Sequence, residues 1–345
     1  MNICFFSSDM GFKGGAEKFS LSLSNELDQI GYSCFYLSIY STEYVDKKHT
    51  ILFNEKLKQR EMLLKSIKRI AKYIDENEID VFICIGHGLG LMANLGEIIS
   101  KRDCKVVFHS HSPFNECIGI ASKISLFSNY LFKNNIITLT ERDKKNYEHY
   151  TNNRCNIKTI RNFVDRKFNN HINNNNEFIS VGSLCERKNF IELIDIFNDY
   201  LEFNPNAKLN IYGEGEEKDK IEIKIASLNL QNNIFLKGFC NADEIYTSGS
   251  CLLMTSKAEG LPLCILEAFS FGIPCIAYDC ETGPKELIVD KTGEVITMHD
   301  KASFVNAMIN ISNNVDIKQI EEHYKNYSKD LILSIWDAYF KSLKS

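Results

Sequence analysis

Twice along this chain of 345 residues, a series of short apolar runs alternates with helical patterns, and a polar break separates the two series. In the first series, Ile3 to Ser7 has the length and composition of a buried strand. A glycine-bearing turn follows from Gly11 to Gly15, then a helical pattern from Ala16 to Gly31 with Phe19, Leu23 and Leu27 on one face. Tyr32 to Ile39, Asp80 to Ile85, Lys105 to His109 and Ile136 to Thr140 read as further strands. Leu57 to Glu76 reads as a helix, with Leu63, Ile67, Ile70 and Ile74 at helical spacing. Strands spaced by helices of this length form βαβ units, and so a mostly parallel sheet.

Between Phe168 and Glu177 the chain reads NNHINNNN, a polar stretch without period that is expected to link two domains. The alternation then restarts. Phe178 to Gly182, Lys208 to Tyr212, Ile234 to Lys237, Cys251 to Thr255 and Cys275 to Tyr278 read as strands. Asn189 to Phe203 and Glu216 to Asn229 read as helices, a further helix starts near Pro262, and a long helix from Tyr327 to Leu343 carries the only tryptophan, Trp336. The expected plan is two α/β domains: residues 1–168 together with a final helix in 327–345, and residues 177–326. In open parallel sheets, ligands bind beyond the carboxyl ends of the strands. Two such edges facing each other across a cleft would suit a nucleotide-linked substrate.

Composition narrows the function. Forty Lys and Arg against 45 Asp and Glu give a formal net charge of −5, which argues against a nucleic-acid binder working through bulk positive charge. With 44% hydrophobic and 25% charged residues, the chain has the proportions of a soluble globular protein. None of its 12 cysteines stands in a C-x-x-C pair, and Cys4, Cys84, Cys251, Cys264 and Cys275 sit in apolar, strand-like runs. Buried free thiols in a reducing cytosol are expected. The start, MNICFFSSDMGFKGG, lacks the form of a signal peptide, and no apolar run reaches the roughly 18 residues of a membrane span.

Four local patterns carry chemistry. In KAEGLPLCILEAFSFGIPCIAYD, Glu259 and Glu267 stand eight residues apart across a strand-to-helix turn set by Gly260 and Pro262. Eight residues is near a whole number of helical turns, so one carboxylate just before the helix and one about two turns in can face one cleft. The free amides at such a helix start favour an anion such as a phosphate. In SVGSLCERKNFIELI, a small-residue loop beginning at Gly182 brings Arg187 and Lys188 to a strand end, where two cations can neutralise a diphosphate. Gly14-Gly15-Ala16-Glu17 lets the backbone approach a ligand, although it is neither G-x-G-x-x-G nor a phosphate loop. After the strand ending at His109, His109 and His111 offer a hydrogen-bond donor for a sugar hydroxyl. For each pattern there is a plainer role: a helix cap, a solvated charge pair, a flexible turn, a structural histidine.

Taken in order, these patterns resemble the GT-B glycosyltransferases of family GT4 over nearly the whole chain. VGSLCERKNFIELI, IYGEGEEKDKI, IFLKGF and EGLPLCILEAFSFGIPCIAYD are the landmarks of the second half, and GGAE that of the first. DCETGPKELI, Asp279 to Ile288, is similar to the form found in bacterial surface-polysaccharide and lipopolysaccharide enzymes. The resemblance implies two Rossmann-like domains facing across a cleft, with a C-terminal helix crossing back to the first. It implies that Arg187 and Lys188 bind the nucleotide diphosphate as leaving group. Glu259 would hold donor-sugar hydroxyls beside the backbone amides of Leu261, Leu263 and Cys264. Glu267 would accept from the ribose, and Gly238 and Phe239 would contact the base. Gly14, Gly15 and Gly182 would lie against the phosphates, and His111 would touch the donor sugar near the reacting carbon. Asn189 stands where the family often has a second glycine, and Arg161-Asn162-Phe163-Val164-Asp165 where it usually reads P-N-G-V-D.

The activity so implied is transfer of a hexosyl or N-acetylhexosaminyl unit, with retention, from a UDP-sugar to a saccharide or lipid-linked saccharide. The cations and helix amides would stabilise the departing diphosphate while an oxocarbenium-like sugar develops. No Asp-x-Asp motif is present, so no metal or other cofactor is expected. Lys56 to Lys72 is a basic amphipathic stretch, and Ile118 to Phe132 is apolar-rich with Lys123 inside it and Lys133 after it. Together they suggest weak peripheral contact with an anionic membrane, from the cytoplasmic side. A nucleotide-sugar epimerase of the same fold and a non-catalytic sugar-binding relative are the competing readings; a nicotinamide oxidoreductase would need the missing glycine fingerprint.

Overall fold

In the computed structural model, which describes residues 1–11, 14–43, 45, 48–55, 57–86, 88–116, 119–170 and 176–343, the chain divides into two units. The first comprises Met1–Asn162 and the chain from Ile332 onward, the second Phe163–Leu331. The change of unit thus precedes the asparagine-rich run. The start of that run and the residues before it are tied into the second unit: Asn169 N donates to Ser270 O at 2.7 Å, and Arg166 pairs with Asp243 at 2.7 Å. Residues 171–175 of the run lie outside the described residues.

The first unit carries strands β1 (Asn2–Ser7), β2 (Ser33–Ser38), β3 (His49–Ile51), β4 (Val81–Ile85), β5 (Lys105–His109), β6 (Asn135–Thr138) and β7 (Asn156–Thr159). Its helices are α1 (Gly15–Gln29), α2 (Gln59–Glu76), α3 (Gly90–Ile99), α4 (Ile120–Phe132) and α5 (Glu141–Thr151). The second unit carries β8 (Glu177–Val181), β9 (Lys208–Tyr212), β10 (Ile234–Gly238), β11 (Cys251–Met254), β12 (Cys275–Tyr278) and β13 (Gly293–Ile296). Its helices are α6 (Phe190–Tyr200), α7 (Lys218–Ser227), α8 (Ala242–Tyr246), α9 (Leu263–Ser270), α10 (Pro284–Leu287), α11 (Lys301–Asn314) and α12 (Ile317–Tyr324). The last helix, α13 (Lys329–Ser342), lies mostly in the first unit.

The sheets run β3-β2-β1-β4-β5-β6-β7 and β10-β9-β8-β11-β12-β13, and neighbouring strands pair parallel. Counted from the first strand of each unit, both follow the doubly wound order 3-2-1-4-5-6, with a seventh strand added at the edge of the first, so both are Rossmann-like. That order reverses between β1 and β4 in one sheet and between β8 and β11 in the other. Crevices open at the carboxyl ends of those two strand pairs.

Each sheet is buried under helices. Phe178, Leu193, Phe197, Leu209, Leu253, Ile276 and Phe304 form the second core; Cys4, Phe6, Ile70, Ile74, Phe82, Phe108 and Ile136 belong to the first. Burying each large apolar side chain contributes about 1.5–3 kcal/mol. Phe19, Leu23 and Leu27 are buried, as their spacing on α1 requires. Several element ends differ from the expected ones: α2 starts at Gln59, α6 ends at Tyr200, α7 spans Lys218–Ser227 and α13 starts at Lys329. Cys264 lies on helix α9, not in a strand, and the strand expected to reach Thr140 ends at Thr138 because the Thr140 side chain caps α5, accepting from Asp143 N. The other strand cysteines named above are buried, and every described cysteine is a free thiol. Among the described residues, no helix is long and apolar enough to cross a membrane.

Candidate functional site

The second sheet's crevice is built by the loops that follow β8 and β11. After β8 the chain turns through Gly182 and a single turn of tight helix, Glu186–Lys188, before α6 begins. Asn189 closes that turn with φ +55°, a left-handed conformation that asparagine tolerates and glycine would also supply. The loop is pinned on both sides. Gly182 N donates to Tyr212 O at 3.0 Å and Leu184 N to Glu214 O at 2.9 Å. The chain at Gly213 approaches the Gly182 carbonyl so closely, at φ +140°, that a side chain at Gly213 would collide with it. From the other side, Lys257 N donates to Arg187 O at 2.8 Å.

This scaffold brings Arg187, Lys188 and Glu259 together. Lys188 Nζ lies 2.6 Å from Glu259 Oε1, and Arg187 Nη1 lies 3.4 Å from Oε2 and 2.9 Å from the Ala258 carbonyl. Glu259 is 5% exposed. Burial alone would raise its pKa, but the charges of Lys188 and then Arg187 outweigh burial and hold the carboxyl below its ordinary value. Burial likewise works against the Lys188 ammonium, yet Glu259 keeps its pKa raised. Two cations on one carboxylate leave the cluster with a surplus positive charge. The Thr282 hydroxyl donates to the Glu259 carbonyl and fixes that backbone.

Helix α9 starts at Leu263, after Pro262. Its first-turn amides, Leu263 and Cys264, are those that helix geometry leaves without a preceding carbonyl. Glu267 is the fifth residue of α9, about one turn in, not two as its spacing from Glu259 suggested. The two carboxylates have different partners: Glu267 accepts from Tyr246 Oη at 2.8 Å. Both nevertheless act on the Cys264 thiol, which burial pushes up to about 12, with Lys188 opposing and Glu259 and Glu267 adding to the rise. Leu261 is buried in the turn, where the Gly283 backbone packs against Pro262 and the Gly260 carbonyl. Gly238, at φ +69°, ends β10, and Phe239 beyond it is 88% exposed.

Gly14, Gly15 and His111 belong to the first unit. Gly14 precedes α1 with an extended backbone, and a methyl group on Gly15 would meet nothing within 4 Å. Gly15 is therefore not required by the protein's own packing and leaves open backbone at a helix start. Phe19, about one turn along α1, contacts the rings of His109 and His111, with centroids at 6.2 and 6.0 Å. His109 is fully buried, whereas His111 is only partly so. Burial, and then the neighbouring His111, push the His109 pKa well down and keep it neutral. Of the two, His111 is therefore the ring able to meet a ligand.

Two contributors have no sequence signal that points to them. Tyr246 supports Glu267 from α8, a short helix whose start, Asn241 accepting from Glu244 N at 3.0 Å, is legible as a cap but whose last residue is not legible as a site. Thr282 lies in the DCETGPKELI stretch, without a motif of its own. Among the described residues, no cluster of His, Cys, Asp and Glu is arranged to hold a metal ion.

Residues 162–330 match the family described as Glycosyl transferases group 1. An uncharacterized glycosyltransferase of Methanocaldococcus jannaschii is 30% identical over 297 residues, spanning 78% of this chain and 73% of that protein. The amylovoran biosynthesis glycosyltransferase AmsD of Erwinia amylovora is 26% identical over 345 residues, 94% of this chain and 95% of the relative. Among solved structures, the pneumococcal O-GlcNAc transferase GtfA, in complex with UDP and GlcNAc, shares the fold with a TM-score of 0.83 over 99% of each chain at 13% identity.

Proposed function

The chain belongs to the group 1 glycosyl transferases, and from that premise we propose that it moves a hexosyl or N-acetylhexosaminyl unit, with retention, from a UDP-sugar to a saccharide or lipid-linked saccharide in the synthesis of a bacterial surface polysaccharide. The observation that carries the donor side is the cluster of Lys188, Arg187 and Glu259 at the point where the second sheet reverses its order. Its surplus positive charge and the adjacent first-turn amides of α9 suit a diphosphate. A diphosphate entering there competes with Glu259 for both cations. As the cations turn to the phosphates, the carboxylate is released to accept from hydroxyls of the donor sugar. The leaving group is then stabilised as its charge grows, and no reorganisation of solvent is needed. Glu267, steadied by Tyr246, accepts from the ribose, and exposed Phe239 offers an apolar face to the base. His111 is the first-unit group assigned to the donor sugar. The relative named for amylovoran biosynthesis supports a place in polysaccharide synthesis, and the complex of GtfA with UDP supports the nucleotide.

Thermal shift with UDP-, GDP- and ADP-sugars tests the donor. One UDP-sugar should raise Tm with its concentration, since only the folded chain binds it. Incubating that donor with candidate glycan acceptors should yield an α-configured product from an α-configured donor. An epimer formed without any acceptor would support the epimerase reading instead, and stabilisation by nicotinamide dinucleotides alone would remove the proposal.

A further inference from the structure

Helix α4 is built inside out. Its inward face is mostly polar: Ser125, Ser128 and Asn129 are buried, and Leu126 alone beside them joins the first core. Each accepts a hydrogen bond there: Ser125 Oγ from Gly90 N at 2.9 Å, Ser128 Oγ from Asn94 Nδ2 at 3.2 Å, and Asn129 Oδ1 from Asn134 Nδ2 at 3.0 Å, while the buried Asn129 Nδ2 makes none among the described residues. The outward face carries Ile120, Ile124, Phe127 and Leu131, which are 80%, 46%, 53% and 52% exposed, with Phe132 beside them at 40%. Steps of four, three and four residues place the first four in one stripe. A helix of this length carries the stripe for about 20 Å. A surface helix of a globular domain normally turns such a stripe inward, so this one requires a cover.

Charge identifies the cover. Between Glu116 and Glu141 the sequence contains no acidic residue, in a chain whose formal net charge is −5. Lys123 and Lys133 are exposed on or just after α4. Arg154 lies over the ring of Tyr130 at 4.7 Å and donates to its hydroxyl at 2.8 Å, which holds a third cation at the edge of the helix. The other basic stretch differs. On α2, Lys65 pairs with Glu61 at 2.5 Å and Lys72 with Glu76 at 3.4 Å, while Arg69 stacks on Phe53 at 4.4 Å; Lys56 lies outside the described residues. α2 also exposes Leu64 and Lys68, but of these two stretches α4 alone, among the described residues, carries a continuous exposed apolar stripe. A second copy docked face to face would set lysine against lysine, whereas an anionic lipid layer satisfies both features.

We propose that α4 is a membrane-docking helix, lying in the plane of an anionic lipid surface with Ile120, Ile124, Phe127, Leu131 and Phe132 in the acyl boundary and Lys123, Lys133 and Arg154 at the headgroups. The docking stands independently of the sugar-transfer reading, because it uses no residue of the donor site. Co-sedimentation of the full chain with phosphatidylglycerol-rich and pure phosphatidylcholine vesicles tests it. The protein should pellet with the anionic vesicles at low salt and stay in solution with the neutral ones, and 1 M salt should weaken binding by screening. Phe127→Ser with Leu131→Ser should lower the partition coefficient at least tenfold, and Lys123→Gln with Lys133→Gln should remove the preference for anionic lipid. Urea midpoints and the UDP-sugar thermal shift should be unchanged in both variants. Failure of the wild type to pellet, or pelleting of the serine variant at the wild-type level, would overturn the proposal. So would a dimer in sedimentation velocity that the serine variant dissolves, which would make a second copy the cover.

Discussion

His109 Nδ1 lies 3.1 Å from His111 Nε2, with the two rings 4.0 Å apart, and His109 is held neutral because it is buried. Unfolding exposes it to an ordinary pKa near 6.5. Below that value the unfolded chain takes up a proton that the folded chain refuses, so stability falls as pH falls from about 6.5. His109→Gln should flatten that dependence between roughly pH 6.5 and 5. Urea midpoints across this range check it, and equal slopes in the two proteins would count against the assignment.

Lys188→Met leaves Glu259 buried, with the longer contact to Arg187 as its remaining ion pair. Stability should drop by about 3 kcal/mol, the lower end of what breaking a buried pair costs. Glu259→Gln has a separate signature at acid pH. The Glu259 carboxyl is depressed below its ordinary 4.5. Its contribution is therefore complete above that value and is lost as pH falls through the lower folded value. The wild type should lose stability more steeply than Glu259→Gln in acid, as denaturant titration would show.

Arg187 is a different case, since its side chain is 44% exposed and its backbone carbonyl is already fixed by Lys257 N. Arg187→Ala should keep the wild-type urea midpoint while transfer slows by roughly 10²–10³, the loss expected when a charge-stabilising group is removed. Single-turnover rates with the identified donor read this directly. A variant with unchanged rate would remove the cation from the leaving-group role.

Tyr246→Phe removes one hydrogen bond from Glu267 and leaves the stacked contact with Phe271, 5.5 Å between centroids, in place. One such bond contributes about 1 kcal/mol, so UDP affinity should weaken roughly fivefold. Calorimetric titration with UDP checks it, with kcat expected to hold.

The central strands were legible because a parallel strand buried on both faces is a continuous apolar run. Lys105–His109, Lys208–Tyr212 and Cys275–Tyr278 match the sequence reading residue for residue. Edge strands such as His49–Ile51 and Gly293–Ile296 are short and half covered, and left no comparable trace. Lys188 and Glu259 were legible separately as motifs, yet their pairing was not. It depends on β8 and β11 being neighbours, a property of the sheet order. Tyr246 was silent because a buried tyrosine looks like core. The apolar content of α4 was visible, but its inversion was not, since periodicity shows that a helix has two faces without showing which one meets the protein.

Trp336 has no solvent exposure and stands edge-on to His109, its ring centroid 5.3 Å away, as the chain's single indole. Its emission, excited beyond the absorption of the 15 tyrosines, is therefore a local gauge. It reports the N-terminal half and the helix that closes it, and is dark to events confined to residues 163–331. Comparing that emission with far-ultraviolet dichroism during a melt would reveal, without any added label, whether the halves come apart together or one at a time.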